Sequence, residues 1–439
     1  MASQLIRRTG LVGGTAALGL ALVVGAGVLA EPSTPAASTV ASDVSAASSD
    51  PLDREIATLE DRLRRLPQDW VGFASLGAGY VELSRRNADP SLYAKAEDAL
   101  TTSLRLHPAD NAPALSGLAT LAAARHDFIR ALDHADRSLA INAFHSPTHG
   151  VRGDALLELG RYDEAYAAFQ RMVDLRPGTA SYARVSYAWE IRGELPRAIE
   201  TMEMALEAAS ATPDVSFAAY QLALLHLENS DEAAAEKVLA AGLSRDPGSF
   251  NLALAGAKVA IAKGDLPAAA VGYQKVVSGA PQASTLTEYG DLLAALGRKD
   301  DAQEQYDAAR AFNALEEKAG VSLDADAVLL DADLGDPAAA MRTAEKLRAS
   351  QGTSVFTEDA YAWALHANGR DREAMTHADS ALRIGTRSAL LHFHRGMIAK
   401  SLGDRAKAIT DLKLALTINP NFSLRLAPVA RQALQDLRG

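Results

Sequence analysis

Histidines at close spacing are the first candidates for chemistry in this sequence, because paired imidazoles can bind a metal ion. His392 and His394 are two residues apart. On a helix they project about 200° apart and cannot bind one ion together. His145 and His149 lie beside a predicted turn, where a surface loop explains them better than a metal site does.

Carboxylates and sequence motifs give no stronger indication of catalysis. The pairs Asp300-Asp301 and Glu316-Glu317 fall on predicted turns or solvent faces, where a solvated charge is the ordinary state. The sequence has no Cys, which excludes disulfides, thiolate metal sites and cysteine nucleophiles. GxSxG, P-loop and HExxH motifs are also missing. We therefore predict no enzymatic activity, no cofactor and no bound metal.

Composition and length narrow the class of protein further. The chain has 439 residues and a formal net charge of −11, so it lacks the broad positive surface that nucleic acid requires. Aromatic residues make up only 5% of it. Such a composition, dominated by Ala, Leu and Gly, favours packed helices over sheets. The length exceeds what one hydrophobic core supports, which predicts several domains or a repeat array.

An uncharged segment near the N-terminus predicts export. Arg7 and Arg8 precede residues 9–30, which carry no charge, and the next charged residues are acidic. The positive-inside rule therefore places the N-terminus in the cytoplasm and the rest of the chain outside it. This segment is long enough to span a bilayer, yet it ends in small residues that suit cleavage. We predict a signal peptide or signal anchor over 1–30, with both alternatives open, and a disordered Pro/Ser/Ala linker over 31–50.

Beyond residue 50 the sequence repeats. Ten alanines recur at intervals of 33 to 38 residues, and each is followed by an apolar residue four positions later. Seven of them have Gly five residues upstream, which predicts a turn between two helices. The alanines are Ala96, Ala131, Ala165, Ala198, Ala235, Ala269, Ala302, Ala340, Ala374 and Ala408, and the glycines are Gly160, Gly193, Gly264, Gly297, Gly335, Gly369 and Gly403.

The best-defined units identify a family. Gly153–Pro177 reads GDALLELGRYDEAYAAFQRMVDLRP, and Gly396–Pro420 reads GMIAKSLGDRAKAITDLKLALTINP. Both closely resemble the tetratricopeptide repeat, and the resemblance covers about residues 70–422. It implies an all-α fold, a right-handed α-solenoid of about ten helix-turn-helix repeats with a C-terminal capping helix. The first unit fits the family pattern through Phe73, Leu76, Gly77, Tyr80, Ala96, Leu100 and Pro108.

The predicted organisation has an N-terminal helix over 51–69, the repeats over 70–422 and the capping helix over 423–439. Two of the intervals between consecutive repeated alanines are longer than the others, and we call them the longer steps. They predict a lengthened turn near 209–214 and an irregular region at 307–323 that begins with an extended second helix. A unit of 34 residues cannot enclose a core. We therefore expect each unit to pack only on its neighbours.

The family resemblance also implies a binding surface, because the first helices of successive repeats line a concave groove. Family members bind acidic C-terminal tails through several Lys, Arg and Asn residues in adjacent units, and only Asn251, Lys258 and the distant Lys400 match here, so such a ligand is disfavoured. For each apolar groove position there is an open alternative to ligand binding, which is that the side chain packs between adjacent first helices. The candidate groove residues are Tyr187, Glu190, Phe217, Tyr220, Leu224, Leu227, Lys258, Phe356, Trp363, Phe393 and Met397.

These observations predict a non-catalytic scaffold, exported or tethered to the membrane, that binds a peptide or partner protein in its concave groove. Aromatic anchors are enriched at binding hot spots, which favours a protein partner. Contact with the membrane is expected only through residues 1–30, if they are retained. The alternative is an extracytoplasmic protein that binds a small ligand.

Overall fold

The computed structural model describes residues 51–87 and 89–438. Throughout these residues the regular structure is helical and contains no strand. The predicted signal peptide or anchor (1–30) and linker (31–50) lie outside the described residues. Within the described ranges, no helix has both the length and the apolar character needed to cross a bilayer.

Ten helix pairs, which we number as units one to ten, lie between a single helix at each end of the described chain. The end helices are α1 (Pro51–Arg65) and α22 (Leu426–Asp436). Units one to five are α2 (Trp70–Asn87) with α3 (Tyr93–Leu106), α4 (Ala112–Ala124) with α5 (Phe128–Ile141), α6 (Ser146–Glu158) with α7 (Tyr162–Leu175), α8 (Thr179–Glu190) with α9 (Leu195–Ala208), and α10 (Thr212–Glu228) with α11 (Glu232–Arg245). Units six to ten are α12 (Phe250–Ala262) with α13 (Leu266–Gly279), α14 (Ala283–Ala295) with α15 (Lys299–Lys318), α16 (Ala325–Asp333) with α17 (Pro337–Gln351), α18 (Val355–Ala367) with α19 (Asp371–Ala381), and α20 (Ala389–Ser401) with α21 (Arg405–Ile418).

The two helices of each unit approach closely at the ten repeated alanines, which we call the register alanines. All ten register alanines are at most 2% exposed. In unit three, a Cβ added to Gly153 of α6 would lie 2.3 Å from the ring of Phe169 on α7. Only a small residue fits at such a contact, because extra atoms force neighbouring side chains and backbone apart. The predicted all-helical array of paired helices is confirmed.

The turn between paired helices requires a positive φ angle. All seven turn glycines have φ between 71° and 87°. In units two and five, His126 and Ser230 occupy the same position with φ of 56° and 57°. The next residue often caps the following helix, as when the Asp231 carboxylate accepts a hydrogen bond from the Ala234 N–H at 2.9 Å. A left-handed residue followed by a cap therefore ends one helix and starts the next.

The two longer steps have different structural origins. The extra residues of the 307–323 region extend α15 to 20 residues, as the sequence predicts. The following helix, α16, has only 9 residues. The lengthened turn predicted at 209–214 is wrong, because α10 starts at Thr212 and absorbs the additional residues into a 17-residue helix.

Contacts between units six apart contradict the expectation that each unit touches only its neighbours. The turns of units two, three and four meet the loops that lead into α16, α18 and α20, and we call this set of contacts the seam. It forms because the rotation from unit to unit brings the chain back against itself. Among the described residues, four hydrogen bonds cross the seam: Ser322 N–H to the Arg125 carbonyl at 3.0 Å, His126 Nδ1 with the Ser322 carbonyl at 3.0 Å, Val355 N–H to the Tyr162 hydroxyl at 2.7 Å, and the Thr386 hydroxyl to the Ile191 carbonyl at 2.7 Å.

The end helices cover the terminal units. Ile56 and Leu63 of α1 are buried in the core that α2 and α3 form. At the other end, α22 buries Ala427, Ala430 and Leu434 in a core shared with α20 and α21. Each end helix therefore covers apolar surface that the outermost pair would otherwise expose.

Candidate binding surface on the first helices

The candidate groove residues divide into two groups by exposure. The half-buried group contributes both apolar and acidic surface, whereas the buried group consists of aromatic side chains and one lysine. Buried are Tyr187, Tyr220, Lys258, Trp363 and Phe393. Half-buried are Glu190, Phe217, Leu224, Leu227, Phe356 and Met397.

The helical spacing of Tyr220 suggested that it lies on an exposed aromatic stripe. In the structure it does not. Its side chain is 0% exposed and belongs to the core of units five to seven, together with Leu252 and Tyr273. Leu224 and Leu227 pack at the edge of that core. Packing against the neighbouring unit therefore accounts for Tyr220. Binding by the half-buried residues stays a prediction.

Tyr187 and Phe393 also pack inside the array. Tyr187 belongs to the core of units two to four. The Phe393 ring lies 5.8 Å from the Trp363 ring and 5.5 Å from the Phe422 ring, between unit nine and the segment before α22. These distances are typical of packed aromatic pairs. Both residues thus hold neighbouring elements together.

Charged groove positions form ion pairs between consecutive first helices. The Arg184 guanidinium of α8 contacts the Asp154 carboxylate of α6 at 2.8 Å, and both side chains are 3% exposed. Lys258 Nζ of α12 lies 2.7 Å from the Glu288 carboxylate of α14. The Tyr273 hydroxyl donates a second hydrogen bond to Glu288 at 2.8 Å. Lys258 is therefore paired within the array, which differs from its predicted role as a ligand-binding cation.

The segment before α22 returns to the first helices of units seven and eight. The Arg425 guanidinium lies 2.9 Å from Asp333 of α16 and 3.2 Å from Asp291 of α14. Asp333 also accepts a hydrogen bond from Trp363 Nε1 at 2.7 Å, and Asp291 accepts one from the Tyr306 hydroxyl at 2.8 Å. These contacts place the C-terminal segment against two acidic groove positions.

The two closely spaced histidines, His392 and His394, each contact a carboxylate and do not contact each other. His394 Nδ1 lies 2.8 Å from Asp359, whereas His392 Nδ1 lies 3.0 Å from Asp411. The two imidazoles thus have different partners, in agreement with their spacing. No group of three or more His, Cys, Asp or Glu side chains suited to a metal ion occurs in the part of the chain that the structure describes.

Glutamates end three successive first helices, a feature that the sequence analysis missed. Burial, together with the nearby Asp154 and Asp324 carboxylates, raises the pKa of Glu158 to about 8. Burial and the neighbouring Glu228 raise the pKa of Glu190 well above its ordinary value. Burial raises the pKa of Glu228 to about 7, against the opposing effect of Arg387. A negative charge at a helix C-terminus is also unfavourable, so these positions oppose ionisation.

Sequence comparison identifies the repeats. Residues 147–179 and 389–422 match the tetratricopeptide repeat. Anaphase-promoting complex subunit 7 of Arabidopsis thaliana is 26% identical to this chain over 201 residues, which are 46% of this chain and 36% of the plant protein. The alignment therefore spans about a third of that relative. Two segments of this chain therefore match the tetratricopeptide repeat, and the described residues form an all-helical array of helix pairs.

Solved structures with similar folds have low sequence identity. The Cut9-Hcn1 hetero-tetramer of the APC/C is 12% identical, with 89% of this chain and 97% of that chain covered and a TM-score of 0.40. Yeast Tom70 is 14% identical, with 88% and 93% covered and a TM-score of 0.39. These comparisons concern the fold alone.

Proposed function

We propose that this protein is a non-catalytic scaffold that binds a segment of a partner protein on the inner face formed by its first helices. The observation that carries the proposal is the arrangement of ten helix pairs in tandem, with first helices packed on one another along the array. Such an array presents a long continuous surface built from one helix per unit. Extended surfaces of this kind suit protein segments better than small solutes.

The half-buried apolar groove residues supply the binding energy in this proposal. Phe217, Leu224 and Leu227 lie on one face of α10, while Phe356 and Met397 belong to units nine and ten. Each retains exposed surface that a partner would cover. Aromatic and Met side chains offer a large contact area and adapt to irregular shapes.

We also propose that residues 51–438 lie outside the cytoplasm. The support is the charge pattern of the sequence, in which Arg7 and Arg8 precede an uncharged segment and acidic residues follow it. Fusion of an export-dependent reporter after residue 50 should give activity. An inactive reporter at that position would overturn this part of the proposal.

Cross-linking capture with the full-length chain tests the scaffold function. Leu224→Glu places a charge on the inner face and should reduce cross-linking to the partner at least about tenfold if Leu224 lies at a hot spot. Val271→Glu is the matched control, because Val271 lies on the second helix α13 and is 73% exposed. Both variants must melt within a few degrees of the parent chain.

Equal capture by the parent chain and both folded variants would remove unit five from the binding surface. The same comparison with Met397→Glu then tests unit ten. If neither variant affects capture of any protein, while a small solute binds saturably to the purified chain, the alternative of small-ligand binding replaces the scaffold.

A further inference from the structure

The seam satisfies backbone groups at the ends of helices. Val355 is the first residue of α18, and its N–H has no acceptor within the helix, so the Tyr162 hydroxyl accepts that hydrogen bond across the seam. Arg125 and Ile191 follow the last residues of α4 and α8, where carbonyl groups lack helical donors. Their carbonyls accept hydrogen bonds from Ser322 N–H and the Thr386 hydroxyl. Water can satisfy the same helix-end groups when the seam parts, so separation leaves no backbone group unpaired.

Backbones meet directly at two turns of the seam. A Cβ added to Gly160 would lie 2.7 Å from the Thr353 carbonyl oxygen, and one added to Gly193 would lie 2.5 Å from the Gly385 carbonyl oxygen. A few side chains also pack across the seam: Val355 is buried in the core of units two to four, Phe356 and Ile384 pack against that core, and the Arg383 guanidinium lies 5.3 Å from the centre of the Tyr162 ring. Helices nevertheless contact each other across the seam far less than the two helices of any unit do.

Opening the seam does not require any unit to unfold. Six unit-to-unit interfaces separate each turn from the loop it meets, because the bonded residues are 193 to 197 positions apart. A small rotation at each interface adds up to a large displacement at the seam. Apart from Val355, Phe356 and Ile384, the side chains in the cores of the units keep their neighbours during such a motion.

We infer that the seam is a clasp, which parts and closes again while the repeats stay folded. Its opening gives a partner lateral access to the inner face of units two to ten. The opening and closing of the clasp do not depend on the proposed scaffold function. The consequence for partner access does rest on that proposed function.

Two pairs of alanine substitutions separate the seam from backbone strain. Gly160→Ala with Gly193→Ala introduces methyl groups into the seam. Gly264→Ala with Gly297→Ala introduces the same strain elsewhere, because the φ angles are 75° and 76° in the first pair and 79° in both members of the second. A Cβ at Gly264 or Gly297 meets nothing within 4 Å. The second pair is therefore the strain-matched control.

Hydrogen exchange and small-angle scattering on the full chain provide the readouts. We expect both double variants to keep the helical circular dichroism of the parent and to lose similar melting temperature. Only the seam variant should show a larger radius of gyration, with exchange in peptides covering 353–355 and 385–387 faster by at least about tenfold. Unchanged dimensions and exchange, or a loss of helix beyond the control, would show that the seam is a fixed part of the fold and overturn the clasp.

A reversible cross-link tests the consequence for access. The chain has no cysteine, so Arg125→Cys with Ser322→Cys introduces a single thiol pair, at residues whose backbones share a hydrogen bond. Oxidation should close the seam, slow exchange at 353–355 and reduce partner capture, and reduction should restore both. If oxidation slows exchange but leaves capture unchanged, the clasp exists but does not control access. Loss of capture in both the oxidised and reduced chain would instead implicate the substitutions themselves.

Discussion

Stability should fall as pH rises from about 5 to 8, and Glu158 should account for a measurable part of the loss. Its pKa is 4.5 in an ordinary environment and about 8 in the folded chain. Between these values the folded state binds more protons than the unfolded state, so the free energy of unfolding decreases with rising pH. The loss is complete only at about pH 9, where the carboxylate is largely ionised in both states.

The structure sets the size of this effect. A shift from 4.5 to about 8 corresponds to at most about 5 kcal/mol. Solvent reaches part of the half-buried side chain, so we expect about 1–3 kcal/mol at pH 9. Glu158→Gln keeps the shape of the side chain and cannot ionise. Its advantage over the parent chain should therefore appear only as pH rises.

Denaturant midpoints measured from pH 5 to 9 test this prediction. The difference between Glu158→Gln and the parent should increase with pH and level off near pH 9, although Glu190 and Glu228 leave both curves sloping downward. Glu164→Gln is the control, because Glu164 is an exposed glutamate on α7 with its pKa lowered by a hydrogen bond from Arg161. Parallel curves for Glu158→Gln and the parent would refute the reasoning.

Three further substitutions test the packing, the turns and the ion pairs by denaturant unfolding. Gly153→Ala should destabilise unit three by about 1–3 kcal/mol, because its methyl group overlaps the Phe169 ring; an unchanged midpoint would contradict the close approach. Ser230→Gly should stabilise the chain by about 0.5–1 kcal/mol, since glycine adopts a φ of 57° without strain, and a loss of stability would show that the serine side chain matters more. Lys258→Met removes the cation paired with the partly buried Glu288 carboxylate and should cost about 3 kcal/mol, whereas Lys263→Met, at an exposed pair, should cost less than about 1 kcal/mol; equal losses would argue against burial as the cause.

The repeat and its turns could be predicted because they depend on local spacing. An alanine every 33 to 38 residues marks the close contact within each unit, and glycine five residues earlier marks a positive φ angle. Two turns escaped this pattern, since His126 and Ser230 adopt the same backbone conformation without being glycine. A single His or Ser at this position is a weaker indication of a positive φ angle than glycine is.

The burial of groove residues could not be predicted, because it depends on how closely adjacent units approach. Tyr220 has helical spacing with Phe217 and Leu224, and that spacing describes an inner face whether or not a neighbour covers it. The structure shows that Leu252 of the next unit packs in the same core as Tyr220. Likewise, Lys258 could be recognised as a groove cation, but its pairing with Glu288 depends on the alignment of two helices 30 residues apart.

The seam lies beyond any local pattern, because it results from rotations accumulated over six units. Tyr162 and Val355 are 193 residues apart, and no spacing rule connects them. Each unit-to-unit rotation depends on the packing of many side chains. A small error in one rotation shifts the predicted end point by a large distance.

The seam also fixes how many units separate the turns and loops that meet across it. In an open solenoid, one unit can be gained or lost without altering the others. Here the spans of 193 to 197 residues between bonded residues all contain α15, the lengthened helix of unit seven. An insertion or deletion in α15 therefore moves all of these contacts out of register at once. The seam therefore fixes the number of units in one superhelical turn. Evolution can change the number of units between the two sides of the seam only by adding or removing a whole turn, or by losing the seam contacts.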